Sequence, residues 1–178
     1  MRKEKFFIEK KTLKLLENQP WNTIRLSDII KDNKKYSIKN KNQILVSINR
    51  YFDFMLKESL SNLEKSSKKD MLFEVYMARL DILSLHRNSI KNLIRYFISK
   101  PQDFVKLIPS YLDSIVLIAT LSNIKIDGVK GIAVTKALFT LYLIITYTWY
   151  NDESDSLEKT MTTLDKYLSN IDKVINII

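Results

Sequence analysis

The sequence predicts an all-α protein with a small basic head and a larger apolar body. Three observations predict it. Two glycines and three prolines in 178 residues are too few breakers for a sheet-rich fold, which needs a turn every several residues. Apolar residues recur at helical spacing through most of the chain. Charge is concentrated at one end: residues 1–68 carry 16 Lys/Arg against 8 Asp/Glu, and residues 69–178 carry 13 against 12. A hydrophobic content of 46% suffices for one packed core at this length and argues against bulk disorder.

The first helix is expected from about Glu4 to Asn18, with Phe7, Ile8, Leu13, Leu15 and Leu16 on its apolar side and Pro20 ending it. Ser27 is expected to cap a short second helix carrying Ile29 and Ile30. Lys31–Asn42 is polar and reads as neither helix nor strand. A long helix follows from near Asn42, with Ile44, Ile48, Phe52, Met55 and Leu63 in its stripe. Ser67 and Asp70 form an acidic capping box that starts another helix, running to about Leu85. Arg87–Ser99 is a further helix, assigned with its neighbours to the body. Pro101 opens a short turn of helix, and Pro109 starts one that reaches about Asn123. Ile126–Gly131 holds both glycines and reads as a loop before an apolar helix, Gly131–Tyr150. Asn151–Asp155 is a polar turn whose acids suit the start of the last helix.

That last helix repeats Leu157, Met161, Leu164, Leu168, Ile171, Ile175 and Ile178 at spacings of 4 and 3, an unbroken heptad seam. It can face the preceding helix of the same chain or a second copy. The expectation is a homodimer with Leu164, Leu168, Ile171 and Ile175 at the interface. Ala137–Tyr147 is too short to span a bilayer, which takes about 20 apolar residues, so no transmembrane segment is expected. Cysteine is absent and no secretory signal is visible, which fits a cytoplasmic location.

Little here supports catalysis. His86 is the single histidine, no nucleophile elbow is present, and one His without Cys excludes the usual zinc sites. His86 lies at a helix junction beside Arg87, which suits capping of a helix C-terminus. Gly128–Gly131 lacks the spacing and Ser/Thr of a phosphate loop. No catalytic residue, metal or cofactor is expected.

Binding chemistry is better represented. Arg25, Lys31, Lys34, Lys35, Lys39 and Lys41 crowd one segment, with Ser27 and Tyr36 nearby. These are phosphate-contacting types, and they give affinity for duplex DNA rather than sequence readout. In the body, Tyr76, Met77, Leu80, Leu112, Ile115, Tyr142 and Trp149 supply aromatic, Met and aliphatic surface suited to an apolar small molecule or lipid, or to an ordinary core.

The order of these features resembles the TetR family of transcriptional regulators. The resemblance rests on Leu13-Lys14-Leu15-Leu16, on Trp21 through Ile30, and on Ile38 through Leu45 at the start of the connecting helix. Met77–Asp81 with His86-Arg87, and Trp149–Asp152 followed by Thr160 and Leu164-Asp165, look similar to a branch that includes lipid-binding accessory proteins of ubiquinone biosynthesis. The resemblance implies a helix-turn-helix-like head over residues 1–48 and a ligand-binding, dimerising body over residues 49–178. It implies regulation of transcription through DNA, with an apolar ligand in the body. The alternative it carries is a lipid or isoprenoid carrier that does not read DNA. Ile29 to Ile44 is about five residues shorter than the family pattern, more than one helical turn. A shortened recognition element implies weak sequence selectivity.

Overall fold

A computed structural model describes residues 6–30, 38–61 and 66–177, with side chains described through residue 170. The described residues form nine helices and no strand. These are α1 (Phe7–Asn18), α2 (Leu26–Ile29), α3 (Lys41–Ser59), α4 (Lys68–Ser84), α5 (Arg87–Ser99), α6 (Pro101–Val105), α7 (Ile108–Leu121), α8 (Gly128–Asn151) and α9 (Glu158–Ile177).

The chain folds as two compact units. Unit 1 joins Met1–Met55 to Ile82–Ser110, and unit 2 joins Leu56–Asp81 to Tyr111–Ile178. Helix α5, expected in the body, packs along α1 in unit 1. Two of its polar side chains show why. The Ser89 hydroxyl donates to the Leu13 carbonyl at 2.7 Å, and the Asn92 amide donates to the Leu16 carbonyl at 2.6 Å. Those carbonyls lie in the last turns of α1, where Leu16 has no intrahelical partner for its oxygen. Ile90 and Leu93 bury the apolar side of α5 beside Leu13 and Leu16.

Most helix limits follow local chemistry. Asn40 caps α3, its side-chain oxygen accepting the Gln43 N–H at 3.1 Å, while Gln43 reaches back to the Lys39 N–H at 2.6 Å. The Ser67–Asp70 capping box is present at the start of α4. Arg25, rather than Ser27, stands at the start of α2, where its N–H meets the Asp28 carboxylate at 2.8 Å. Asn123 closes α7 in the left-handed region at φ 55°, with Ile124 N–H returning to Ala119 and Asn123 N–H to Thr120.

Helix α8 starts three residues before the expected position and includes both glycines. Gly131 allows this. A Cβ there would lie 1.8 Å from the Ile126 carbonyl oxygen, so no other residue fits without moving the backbone.

In unit 2, α9 packs along α8. Leu157, Leu164 and Leu168 are buried within the chain, so this part of the seam packs inside its own protomer, along α8. Leu164 and Leu168 therefore do not offer side chains to a second copy as expected. A heptad pattern shows that a helix has a partner, and α8 is close enough in sequence to be that partner. Met161, on the edge of the seam, is exposed. The side chains of Ile171 and Ile175 lie outside the described residues.

The acids of the α8–α9 turn have unequal roles. Asp152 is buried, and it clamps the turn to the first turn of α9. One carboxylate oxygen accepts from Ser154 N–H at 3.2 Å and its hydroxyl at 2.6 Å. The other accepts from Thr160 N–H at 2.8 Å and its hydroxyl at 2.7 Å. Burial pushes the Asp152 pKa up, but the four donors outweigh it and hold the group down at about 2. The clamp spans Leu157, which sits at φ 54°, a costly region for a branched side chain.

Asp152→Ala is expected to destabilise the fold by about 2 kcal/mol in urea titration at pH 7. Because the folded pKa is depressed, the contribution is present above pH ~4 and fades as pH falls toward 2. A difference between wild type and variant that persists undiminished at pH 2 would show that the carboxylate is not its source.

Candidate functional site

The basic head is held together by its own cations. Lys11 donates to the Ile29 carbonyl at 2.8 Å and closes the end of α2. Lys41, the first residue of α3, reaches back to the turn before α2. Its ammonium donates to the carbonyls of Trp21 at 2.5 Å and Ile24 at 2.6 Å and lies 4.2 Å from the Trp21 ring centroid. Trp21 and Ile24 are both buried. Burial pulls the Lys41 pKa below the ordinary lysine value, with the Asp28 charge opposing. An ammonium with two carbonyls and an aromatic face is positioned as a structural cation, so Lys41 points inward in this arrangement.

Arg25, Ser27 and Lys39 are exposed and lie on the segment around α2 and the start of α3. Lys31, Lys34, Lys35 and Tyr36 lie outside the described residues. The segment in which a recognition element was expected to be shortened is therefore bounded by α2 and α3.

His86 sits in the turn before α5, its ring 6.3 Å from that of Tyr51 and 6.0 Å from that of Phe52. Burial lowers its pKa, with Glu17 opposing and Lys10 reinforcing the shift. The ring is half-buried among aromatics, the setting of a packing histidine. Asn49 donates to both the carbonyl and the hydroxyl of Ser110 at 3.0 Å, tying α3 to the residue where unit 1 ends.

The folded units sharpen the charge asymmetry. Unit 1 carries 18 Lys/Arg against 7 Asp/Glu, a net of +11, while unit 2 carries 11 against 13, a net of −2. The linear division understated this, because Ile82–Ser110 brings five cations and one acid to the head.

No protein-family model matches the chain, and no curated protein matches it significantly. Among solved structures, the TetR transcriptional regulator from Nitrosomonas europaea ATCC 19718 matches with a TM-score of 0.71. The match covers 92% of this chain and 94% of that one at 16% identity. The chain has a TetR-like fold. In this TetR-like fold the described helices of unit 2 carry every residue expected to line a ligand site. Tyr76, Leu80, Ile115, Tyr142 and Trp149 are buried, and Met77 and Leu112 are half-buried.

Tyr76 of α4 donates its hydroxyl to the Leu138 carbonyl of α8 at 2.8 Å. Burial, with Tyr142 nearby, holds its pKa well above the ordinary tyrosine value, so the phenol stays protonated and donating. The Tyr111 ring of α7 lies 6.1 Å from that of Tyr142. The structure thus brings α4, α7 and α8 together around Tyr76, Tyr142 and Tyr111. Residue-by-residue reading gave no site role to Tyr111, half-buried in the first turn of α7, or to Thr146, whose buried hydroxyl has no hydrogen-bond partner among the described residues. It also gave no site role to Arg79, which is fully buried on α4.

Lys41→Met is expected to cost unit 1 about 2 kcal/mol by loss of two charge-assisted bonds, read as a lower midpoint in chemical denaturation. An unchanged midpoint would return Lys41 to the surface set.

Proposed function

We propose that the chain is a transcriptional regulator that holds duplex DNA through unit 1 and an apolar small molecule in unit 2. The observation that carries this reading is the partition of charge on a TetR-like fold: +11 on one compact unit and −2 on the other. Clustered Lys and Arg gain affinity for duplex DNA by releasing condensed counterions. Arg25, Ser27 and Lys39 are the exposed phosphate-binding groups of this segment among the described residues, joined by Lys31, Lys34, Lys35 and Tyr36 of the adjoining stretch. Lys41 belongs to this site as the residue that positions the Trp21–Ile24 turn. The helix-turn-helix-like head of residues 1–48 is carried within unit 1. Sequence preference is weak, because the segment between Ile29 and Ile44 is short for a full reading helix.

The ligand half of the reading rests on unit 2. Tyr76, Met77, Leu80, Leu112, Ile115, Tyr142 and Trp149 present apolar and aromatic surface, and Thr146 stands one helical turn from Tyr142 and from Trp149. Its enclosed hydroxyl offers such a ligand one polar contact. The chain acts as a cytoplasmic, non-enzymatic binding protein in this reading.

A homodimer forms through unit 2. Gly128–Asn151 is long and apolar enough by composition to cross a membrane, yet Leu138, Leu141, Ile145 and Trp149 bury one side of it in its own chain. The outer side stays open: Val129 is 85% exposed and Tyr147 65%, with Ile132 and Leu143 between them. That stripe, flanked by Met161 and Tyr167 of α9, is the surface a second copy covers.

The 178-residue chain is expected to bind unrelated duplexes with affinities that differ by far less than the roughly 1,000-fold typical of specific readers. Arg25→Gln with Lys39→Gln lowers the slope of log affinity against log salt by roughly 0.9 for each phosphate no longer neutralised. A strong preference for one palindrome would refute weak readout, and no binding at low salt would refute the regulator reading.

Sedimentation at micromolar concentration should give a dimer, and Leu143→Asp with Tyr147→Asp should give a folded monomer. A wild-type monomer, or a doubly substituted dimer, counts against the α8 interface.

A further inference from the structure

Helix α5 carries a second charged surface that the head–body division of the sequence obscured. Its inward side is Ser89, Ile90 and Leu93, all buried. At 100° per residue the opposite side carries Asn88, Lys91, Arg95 and Ser99 together with the exposed Ile98, with Arg87 at its edge. Arg95 and Ser99 are exposed, and Lys91 is half-exposed. Lys100 follows at the exposed end of the helix. The segment Ile82–Ser110 contains one acid, Asp103, and that acid is engaged locally. Lys106 meets it at 2.7 Å and the Tyr96 hydroxyl at 2.5 Å.

We infer that the outer face of α5, through Lys91, Arg95 and Lys100, is a second phosphate-backbone contact for duplex DNA. It is separate from the α2–α3 segment and rests on the proposed DNA binding of unit 1. A surface built only for solubility interleaves both signs of charge. Unit 2 does so with 11 cations and 13 anions, whereas Ile82–Ser110 has five cations to one anion on the unit that already holds the basic head.

The residue types and their spacing fit phosphates. Arg87, Lys91 and Arg95 recur every four residues, an axial step of ~6 Å. Measured along the duplex axis, where the charges of one strand fall every ~3.4 Å, that step covers about two phosphates. Asn88, Ser99 and the Arg95 guanidinium, which is oriented by a 3.0 Å bond to Asn92, add directional donors of the kind that engage phosphate oxygens. No base is read by such a face. It adds affinity and salt dependence, and it compensates a short reading segment with a longer electrostatic footprint.

The test is the full chain carrying Lys91→Gln, Arg95→Gln and Lys100→Gln, compared with wild type and with the Arg25→Gln, Lys39→Gln variant. Binding to a mixed-sequence duplex is measured by fluorescence anisotropy across a salt series. These are surface positions, and matching melting curves confirm that the fold is kept. The expected result is a slope of log affinity against log salt that falls by roughly 2 to 3, as two or three phosphates go unneutralised, with equal weakening on unrelated sequences. An unchanged slope in the α5 variant, alongside a lowered slope in the Arg25/Lys39 variant, overturns the α5 contact and leaves the DNA-binding head intact. Equal affinity and equal weakening on a single-stranded RNA of the same length overturns the duplex assignment. No binding by wild type at low salt overturns the inference together with the function it rests on.

Discussion

Side-chain donors that reach the backbone carbonyls of distant segments are the interaction on which this structure depends. A buried oxygen left without a donor costs as much as a lost hydrogen bond or more. Among the described residues, seven bonds to carbonyls come from side chains 17 to 76 residues away, four of them to oxygens in turns or at helix ends and three, to Leu13, Ser110 and Leu138, to oxygens inside helices. Lys11 serves Ile29, Lys41 serves Trp21 and Ile24, Asn49 serves Ser110, Tyr76 serves Leu138, Ser89 serves Leu13 and Asn92 serves Leu16. Each bond places one helix against the end or flank of another with directional precision that apolar packing alone does not give. The helices are thus positioned by polar donors and filled in by Leu and Ile.

Local chemistry was legible in the sequence. The Ser67–Asp70 box and Pro101 at the start of α6 act over one or two turns and appear where the residues place them, and of the α1 stripe Ile8, Leu13 and Leu16 are buried while Phe7 is exposed. Choice of partner was not legible. Ser89 and Asn92 are ordinary polar residues in a helix, and nothing in their neighbourhood says that their acceptors lie on α1. Lys41 looked like one more surface lysine until the Trp21 and Ile24 carbonyls came within reach of its ammonium. Leu164 and Leu168 carried a true signal of helix pairing, but periodicity cannot distinguish a partner in the same chain from one in another. Asp152 was grouped with its acidic neighbours because the eight-residue reach to Thr160 depends on a left-handed Leu157 that no pattern announces.

The two units divide the physical work. Unit 1 concentrates positive charge and spends some of it on its own architecture, through Lys11 and Lys41, leaving Arg25 and Lys39 outside. Unit 2 is close to neutral and gathers tyrosine, tryptophan and leucine between α4, α7 and α8. An apolar helix with one side filled and the other open, as in α8, stands between a core element and a surface element. In the proposed dimer the same helix belongs to both at once.

Unit 1 is discontinuous: residues 1–55 and 82–110 close on each other with 26 residues of unit 2 between them. That interruption sets an order of events during synthesis. Helix α1 emerges from the ribosome with the Leu13 and Leu16 carbonyls still lacking Ser89 and Asn92. At ~5–20 residues per second the wait for those donors is on the order of several seconds. For that interval the most basic part of the chain is also its least complete. The head becomes a finished object only after the first strip of the body has passed through, so the binding end matures neither first nor alone.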